Sequence, residues 1–392
     1  VPIVNNMYWS NALKSAGYVS ETVMSGHYSN LNKGDFNLYF DDILDQLKIP
    51  YFFVDGLKNY FIFDYILKNY NILHLCCTGT SLQNTRHSHL QSKILRWYNI
   101  KSIVIPYGGD YQQYSKMLNI SLRNALMISY PETARNEEKV FKDVSYWVKN
   151  ADIFFGGFQI DGIGRWDLLP FNMITIDTKL WKKKKGFSNN DGKNGPVRIL
   201  HTPNHRGVKG TEFIINAIEE LKTEGLNIKL TLQEGVPNNK VRETLQDETD
   251  ILIEQIIGGA YAMSAIEGMA SSVAVITNLE EEVYTRVFRR YSYLNECPIL
   301  SANPENIKEQ IKSLVVDFKL RNELSKAGRL YVEKYHSQRT AIYMFNMIYK
   351  NIWHNEKNDL INMFHPLMKQ SYNNQNPIVE HSLKENRIKI NG

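Results

Sequence analysis

The residues with the most chemistry to offer lie between Val197 and Thr277. Val197-Arg198-Ile199-Leu200-His201-Thr202-Pro203 has the pattern of a buried strand, and the turn Asn204-His205-Arg206-Gly207-Val208-Lys209-Gly210 follows it. An amphipathic helix is expected from Thr211 through Leu221, with Thr211 as its N-cap. A strand, a basic glycine turn and a helix in that order make a device for anions. Backbone N–H groups and the helix N-terminus favour a phosphate, and Arg206 and Lys209 add full charges. A basic pair in a surface turn is ordinarily just solvated. At the carboxyl end of the first strand of an α/β domain it faces the crevice where such folds bind ligands.

Downstream, Ser264-Ala265-Ile266-Glu267-Gly268-Met269-Ala270 sets one carboxylate among small and apolar neighbours. A buried carboxylate costs several kcal/mol unless partnered. Glu267 therefore needs donors, and ribose hydroxyls supply them; the alternative is a surface Glu on its helix. Together these features read as a nucleotide-diphosphate site.

Over Val197 to Tyr343 the chain resembles the C-terminal half of the GT-B glycosyltransferases, especially group 1, or family 4. The resemblance rests on Arg206 and Lys209-Gly210 after the strand and on the helix start Glu267-Gly268-Met269-Ala270. It implies an α/β fold of two Rossmann-like domains facing across a cleft, with the last helix crossing back to the first domain. It also implies that Arg206, Gly207 and Lys209 hold a donor diphosphate and that Glu267 holds the ribose. The family places a second Glu eight residues before the first; that position here is Gly259. Backbone N–H groups of the loop Gly258-Gly259-Ala260-Tyr261 are expected to reach the donor sugar or phosphates instead. Glu254 and Gln255, just upstream, are further candidates for a sugar contact, with a solvated Glu254 as the alternative. Gln233 and Glu234 end a strand on the side where the base would lie. In the first domain, Tyr107 stands where retaining members often carry a His, and Asp110 is a candidate base or positioner of the acceptor hydroxyl. A helix cap is the equal alternative for Asp110.

The activity so implied is transfer of a sugar, with retention, from a nucleotide-diphosphate sugar to an acceptor hydroxyl. The donor expected is UDP-linked, the acceptor a glycan or lipid-linked glycan, and the setting bacterial polysaccharide or glycoconjugate synthesis. No cofactor and no metal are expected, because basic residues and helix dipoles do that work in this fold. Arg86, His87 and His89 have no metal-site spacing. A nucleotide-sugar 2-epimerase of the same fold, or a catalytically silent nucleotide-sugar-binding relative, are the alternatives.

These residues need two alternating α/β halves to position them, and 392 residues are enough for both. Strands are expected at Tyr18 to Met24, Asn71 to Cys77, Lys101 to Pro106 and Asp152 to Phe155. A helix is expected from Glu132 to Lys149, with Phe141, Val144, Trp147 and Val148 on one face. The expected division is a first domain over 1–181, a linker over 182–196, a donor domain over 197–336, a crossover helix over 337–354 and a flexible polar tail over 355–392. Gly162 to Asp167 is a candidate acceptor loop. The net charge of +5 is mild and calls for no nucleic acid. The run Lys182 to Lys185 could meet an anionic membrane surface, although a solvated linker is the simpler reading. Cys76, Cys77 and Cys297 cannot build a disulfide framework, which favours a cytoplasmic setting, at most at the inner face of the membrane. No apolar run approaches a membrane span. The sequence begins at Val1, and loss of a first strand is a further expectation from that start.

Overall fold

A computed structural model of the chain describes residues 4–26, 33–48, 56–156, 161–280 and 282–368. They fall into two compact units. One gathers Val1–Met117, Glu132–Leu169 and Ala341–Ile361; the other gathers Leu118–Pro131, Pro170–Thr340 and Asn362–Gly392.

The first unit carries strands β1 (Val23–Met24), β2 (Leu38–Tyr39), β3 (Ile72–Leu75), β4 (Lys101–Val104) and β5 (Ile153–Phe154). Among the described residues β1 pairs only with β2, and β3-β4-β5 form a separate parallel sheet. The helix Glu137–Asn150 packs on that sheet by burying Val144 and Trp147, which join Leu95, Val104 and Phe154 in one core. Phe141, expected on the same face, is 44% exposed and lies under the Lys116 ammonium. The single helix expected from Glu132 is broken, into Pro131–Arg135 and Glu137–Asn150. From Ala341 onward the last helix, Gln338–His354, belongs to this first unit. There Phe345 meets Trp9 edge-on and the Tyr349 hydroxyl lies 2.9 Å from His74 Nε2.

The second unit carries β6 (Val197–His201), β7 (Ile228–Leu232), β8 (Ile251–Ile253), β9 (Ala274–Thr277) and β10 (Leu300–Ser301). They form one parallel sheet in the order β10-β9-β8-β6-β7. Its centre reads as continuous apolar residues because helices cover both faces. The helix Thr211–Thr223 shows how the pattern is read out. Ile214, Ala217, Ile218 and Leu221 recur at helical spacing, and all four are buried against the sheet. The chain runs from β6 outward to β7, then returns past β6 to β8. The order of the strands thus reverses between β6 and β8, which opens a crevice at their carboxyl ends.

Several boundaries differ from the sequence-based expectation. Residues 170–181 belong to the second unit, and so does the helix Ile120–Ser129, which the periodicity did not reveal. Residues 182–196 are not a free linker. The buried guanidinium of Arg321 donates to the carbonyls of Ser188 and Asn190 as well as to those of Leu314 and Val315. Lys184 donates from its backbone N–H to Ser271, and its ammonium reaches the Thr249 carbonyl. Burial lowers that ammonium to a pKa of about 8. An inward Lys184 takes one charge out of the run offered above to a membrane. Arg321→Ala is expected to destabilise the chain by at least about 3 kcal/mol, since each buried carbonyl left unpaired costs about 1–3 kcal/mol. Denaturant unfolding measures this, and an unchanged midpoint would refute the role of Arg321 in holding the strap.

Of the tail, Leu360, Met363 and Phe364 are buried, and Phe364 packs edge-on against Tyr293. The rest of the expected flexible tail, 369–392, lies outside the described residues. No described helix is long and apolar enough to cross a membrane.

Candidate anion and nucleotide site

The turn after β6 is shaped by Gly210, whose φ of 73° lies in the left-handed region. It ends the short helix Arg206–Lys209 and is itself the N-cap of Thr211–Thr223. The expected cap, Thr211, is instead the first helical residue. Its hydroxyl lies 2.8 Å from Nε2 of the buried His201, whose Nδ1 meets the Ile253 carbonyl. This links the carboxyl ends of β6 and β8 beneath the turn. Burial lowers the His201 pKa to about 4, so the imidazole is neutral at pH 7. A Cβ at Gly210 would come within 2.5 Å of Ile256 Cγ1. Gly210→Ala is therefore expected to cost about 2 kcal/mol or more, from the left-handed backbone and the clash together. A thermal midpoint equal to that of the parent would contradict it.

Lys209 and Arg206 have different surroundings. The Lys209 ammonium is largely buried, 2.9 Å from Gln255 Oε1 and 3.7 Å from Glu254 Oε1. Gln255 in turn donates to the Ala260 carbonyl. Glu254 leaves the end of β8, and its side chain is fully buried. Both its oxygens accept from the Ala262 N–H, and Oε1 also accepts from the Ser264 hydroxyl. The sequence left a solvated Glu254 open; the structure excludes that. Glu254 instead caps the helix Met263–Ala270 and faces the Lys209 charge. Arg206 is more open. Its guanidinium donates to Glu212 at 2.7 Å and to Glu234 at 2.9 Å. Water screens such exposed pairs, so a phosphate can exchange with them readily. Gly207 lies beside the helix Ile120–Ser129, with Ser129 Oγ 3.5 Å from its Cβ position, and Tyr130 packs edge-on to His205.

Glu267 sits on Met263–Ala270, 3% exposed, and its Oε1 accepts from the Asn238 side chain at 2.8 Å. Gly268 allows the burial: a Cβ there would stand 2.5 Å from Leu252 Cδ2. Burial raises the Glu267 pKa to about 8, the nearby Glu254 charge adds to this, and the Asn238 bond opposes it. This carboxyl is therefore an acid that a ligand can ionise by donating to it. Asn238 and Glu212 were not singled out by the sequence. They act through partners 29 and 6 residues away, and Asn238 carries no local pattern.

Gln233 donates to the Thr244 hydroxyl, while its Oε1 is buried without a partner. Glu234 is occupied by Arg206. Gly258, Gly259, Ala260 and Tyr261 are buried, and the Ala260 N–H and carbonyl are both used within the loop region. The Tyr261 ring points into the core, its hydroxyl 2.8 Å from that of Tyr331 and 2.9 Å from His336 Nε2.

In the first unit, Asp110 is held by its cap role. Oδ2 accepts from the Cys77 N–H at 2.7 Å and Oδ1 from the Tyr107 N–H at 2.6 Å, which ties the ends of β3 and β4 together. Burial raises its pKa to about 7 against these bonds. Tyr107 is 38% exposed beside it. The segment Gly162 to Asp167, offered above as an acceptor loop, is clamped to the end of the helix Glu137–Asn150 and to β5. Arg165 donates to the carbonyls of Val148, Ala151 and Asp152 and pairs with Asp167, which accepts from the Phe154 N–H. His87 Nδ1 lies 2.8 Å from the Tyr60 hydroxyl, and no group of three or more metal-ligating side chains occurs among the described residues.

No protein-family model matches the chain, and no curated protein matches it. Solved structures do. A sucrose-phosphate synthase from Thermosynechococcus elongatus matches with a TM-score of 0.55 at 14% identity, over 89% of this chain and 92% of that one. HepE of Anabaena, in complex with UDP-glucose, matches with a TM-score of 0.53 at 11% identity, over 90% and 97%. A glycosyltransferase from Rickettsia africae matches with a TM-score of 0.51 at 15% identity, over 90% and 95%. At such identity the likeness speaks of fold, and function has to be argued from the site. With parallel sheets and helices in each of its two units and its last helix returning to the first unit, the chain has the fold of the GT-B glycosyltransferases.

Proposed function

We propose that the second unit binds the nucleoside diphosphate of a nucleotide sugar and that the chain transfers the sugar to an acceptor hydroxyl. The observation that carries this reading is the convergence at the strand-order reversal. Lys209 leaves the turn after β6, Glu254 and Gln255 leave β8, and all three are in contact. A diphosphate entering there meets the Lys209 ammonium, the exposed Arg206 and the turn amides. Glu267, a buried carboxyl with one oxygen bonded only by Asn238, is the acceptor for ribose hydroxyls. The UDP-glucose in HepE supports a UDP-linked donor by fold analogy alone.

In the reaction, the bond between the anomeric carbon and the diphosphate oxygen breaks and its electron pair leaves with the phosphate. Lys209 and Arg206 stabilise that charge as it grows, and this stabilisation is largest in the transition state. The acceptor oxygen bonds to the anomeric carbon and its proton passes to the departing diphosphate, whose oxygens carry the released electron pair. Retention of configuration is carried over from the family resemblance, as is the placing of the acceptor on the first unit. Purified chain incubated with UDP-glucose and other nucleotide sugars tests the proposal. Release of nucleoside diphosphate is expected and should be abolished in Lys209→Ala. No turnover of any donor, with nucleotide still bound, would leave a silent binding protein and overturn the transferase reading.

A further inference from the structure

The loop Gly258-Gly259-Ala260-Tyr261 is buried, yet only part of its backbone is bonded. The Ala260 carbonyl accepts from the Gln255 side chain and the Thr277 hydroxyl, and the Tyr261 carbonyl accepts from the Asn172 side chain at 2.7 Å. Among the described residues nothing accepts from the N–H groups of Gly258, Gly259 and Tyr261. N–H groups of buried residues are almost always paired, so three in one loop call for an acceptor. The loop follows Glu254 and Gln255, which contact Lys209. Oxygens of the proposed donor supply acceptors there.

Two distant segments hold this loop. The Tyr261 ring lies 4.8 Å from that of Phe171, and its hydroxyl meets His336 Nε2 at 2.9 Å and the Tyr331 hydroxyl at 2.8 Å. Nδ1 of His336 lies 2.7 Å from the Ile174 carbonyl. A carbonyl only accepts, so Nδ1 carries the proton. Burial lowers the His336 pKa to about 4, so at pH 7 Nε2 is bare and accepts from Tyr261. The Tyr261 oxygen then accepts from Tyr331. The bonds run one way, from Tyr331 to Tyr261 to His336 to Ile174. The second tie is as definite: the Asn172 amide donates to the Tyr261 carbonyl and accepts from the Ile174 N–H at 3.1 Å. Asn172 and Ile174 follow the point where the chain enters the second unit, between Leu169 and Pro170. His336 precedes a point where it leaves, between Thr340 and Ala341. The two segments are joined to each other, because the Ile176 N–H donates to the His336 carbonyl at 2.8 Å beside a parallel bridge of Ile176 with Ser337. Tyr261 is thus bonded at its carbonyl to the entering segment and at its hydroxyl to the leaving one.

We infer, on the basis of the donor site proposed above, that Asn172 and His336 are positioning residues: through Tyr261 they hold the loop N–H groups toward the donor and couple its binding to the two segments by which the chain enters and leaves the second unit. Coupling is reciprocal, so a ligand that orders the loop also acts on these segments, and freeing the loop from them weakens the ligand. Amide NMR of the 392-residue chain, titrated with UDP-, GDP- and ADP-glucose, tests this on the parent, Tyr261→Phe and Tyr331→Phe. Each variant loses one buried hydroxyl from the same network, and only Tyr261→Phe cuts the bond to His336. In the parent and in Tyr331→Phe, the Ile174 and Ile176 amide resonances should shift with the same midpoint as binding. Tyr261→Phe should bind about fivefold more weakly, the value of one net hydrogen bond. At saturation it should leave the Ile176 amide unmoved, while Ile174, still tied through Asn172, keeps its shift. A purely structural role predicts the same behaviour in both variants, and that result would overturn the inference. So would a parent that binds with Ile174 and Ile176 unmoved, a result that stands even if Tyr261→Phe does not fold. A parent that binds none of the three sugars would remove the donor site itself, and the inference with it.

Discussion

Replacing Lys209 with alanine is expected to weaken nucleoside-diphosphate binding by about 10- to 150-fold, the value of one charge-assisted bond of roughly 1.5–3 kcal/mol. It should also destabilise the empty chain, because Glu254 stays behind as a buried carboxylate facing no cation. Breaking a buried pair on one side costs about 3–5 kcal/mol, more than the pair itself contributes. The two effects separate in Lys209→Met combined with Glu254→Gln. That double variant removes both charges while keeping the bonds from Ala262 and Ser264 to an amide oxygen. Stability should largely return and binding should not. A double variant that regains both would show that Lys209 only holds Glu254 and never meets the ligand. Arg206→Ala, by contrast, should weaken binding with little change in stability, since its partners Glu212 and Glu234 are exposed.

Glu267→Gln carries the second large effect, and its sign depends on pH. Burial holds the Glu267 carboxyl at about 8 against an unfolded value of 4.5. Between those values the folded chain keeps a proton that the unfolded chain has released. The contribution is fully present below pH 4.5 and is lost as pH rises through 8. Removing the titrating group removes that loss. Glu267→Gln should therefore stabilise the empty chain at pH 9 relative to the parent, by roughly 2–5 kcal/mol, and change little at pH 4. Binding should respond in the opposite direction. Ribose hydroxyls donate to the ionised carboxylate, so affinity in the parent should rise from pH 6 to about 8 and then level. In Glu267→Gln it should be weaker and flat over that range. Unfolding curves and titrations at four pH values measure both. A parent affinity independent of pH would remove Glu267 from the ligand.

Those two residues also show how far the sequence could be read. The β6–turn–helix unit and the enclosure of Glu267 were legible because each is written locally. Gly210 and the basic pair occupy one turn, and small residues surround Glu267 within one helix. Gly268 had a function that only packing against Leu252 discloses. What stayed hidden depends on contacts between distant segments. The helix Ile120–Ser129, which the periodicity did not reveal, packs beside Gly207 and belongs to the second unit. Residues 182–196 have a linker's composition, yet a buried arginine more than 120 residues away and the bonds of Lys184 to Ser271 and Thr249 hold them down. Asp110 lay evenly between base and cap, and only the fold shows that the Cys77 and Tyr107 N–H groups both donate to it. Glu254 was open between a sugar contact and a solvated side chain, and only the fold brings Lys209, Ala262 and Ser264 around it.

The most direct test of the central claim is a calorimetric titration of the 392-residue chain with UDP, GDP and ADP at pH 8, with Lys209→Ala and Glu267→Gln alongside. The site described predicts one saturable site for at least one of the three, weakened at least tenfold in Lys209→Ala and clearly weakened in Glu267→Gln. Folded protein that binds none of them, or binds one equally well in both variants, would contradict it.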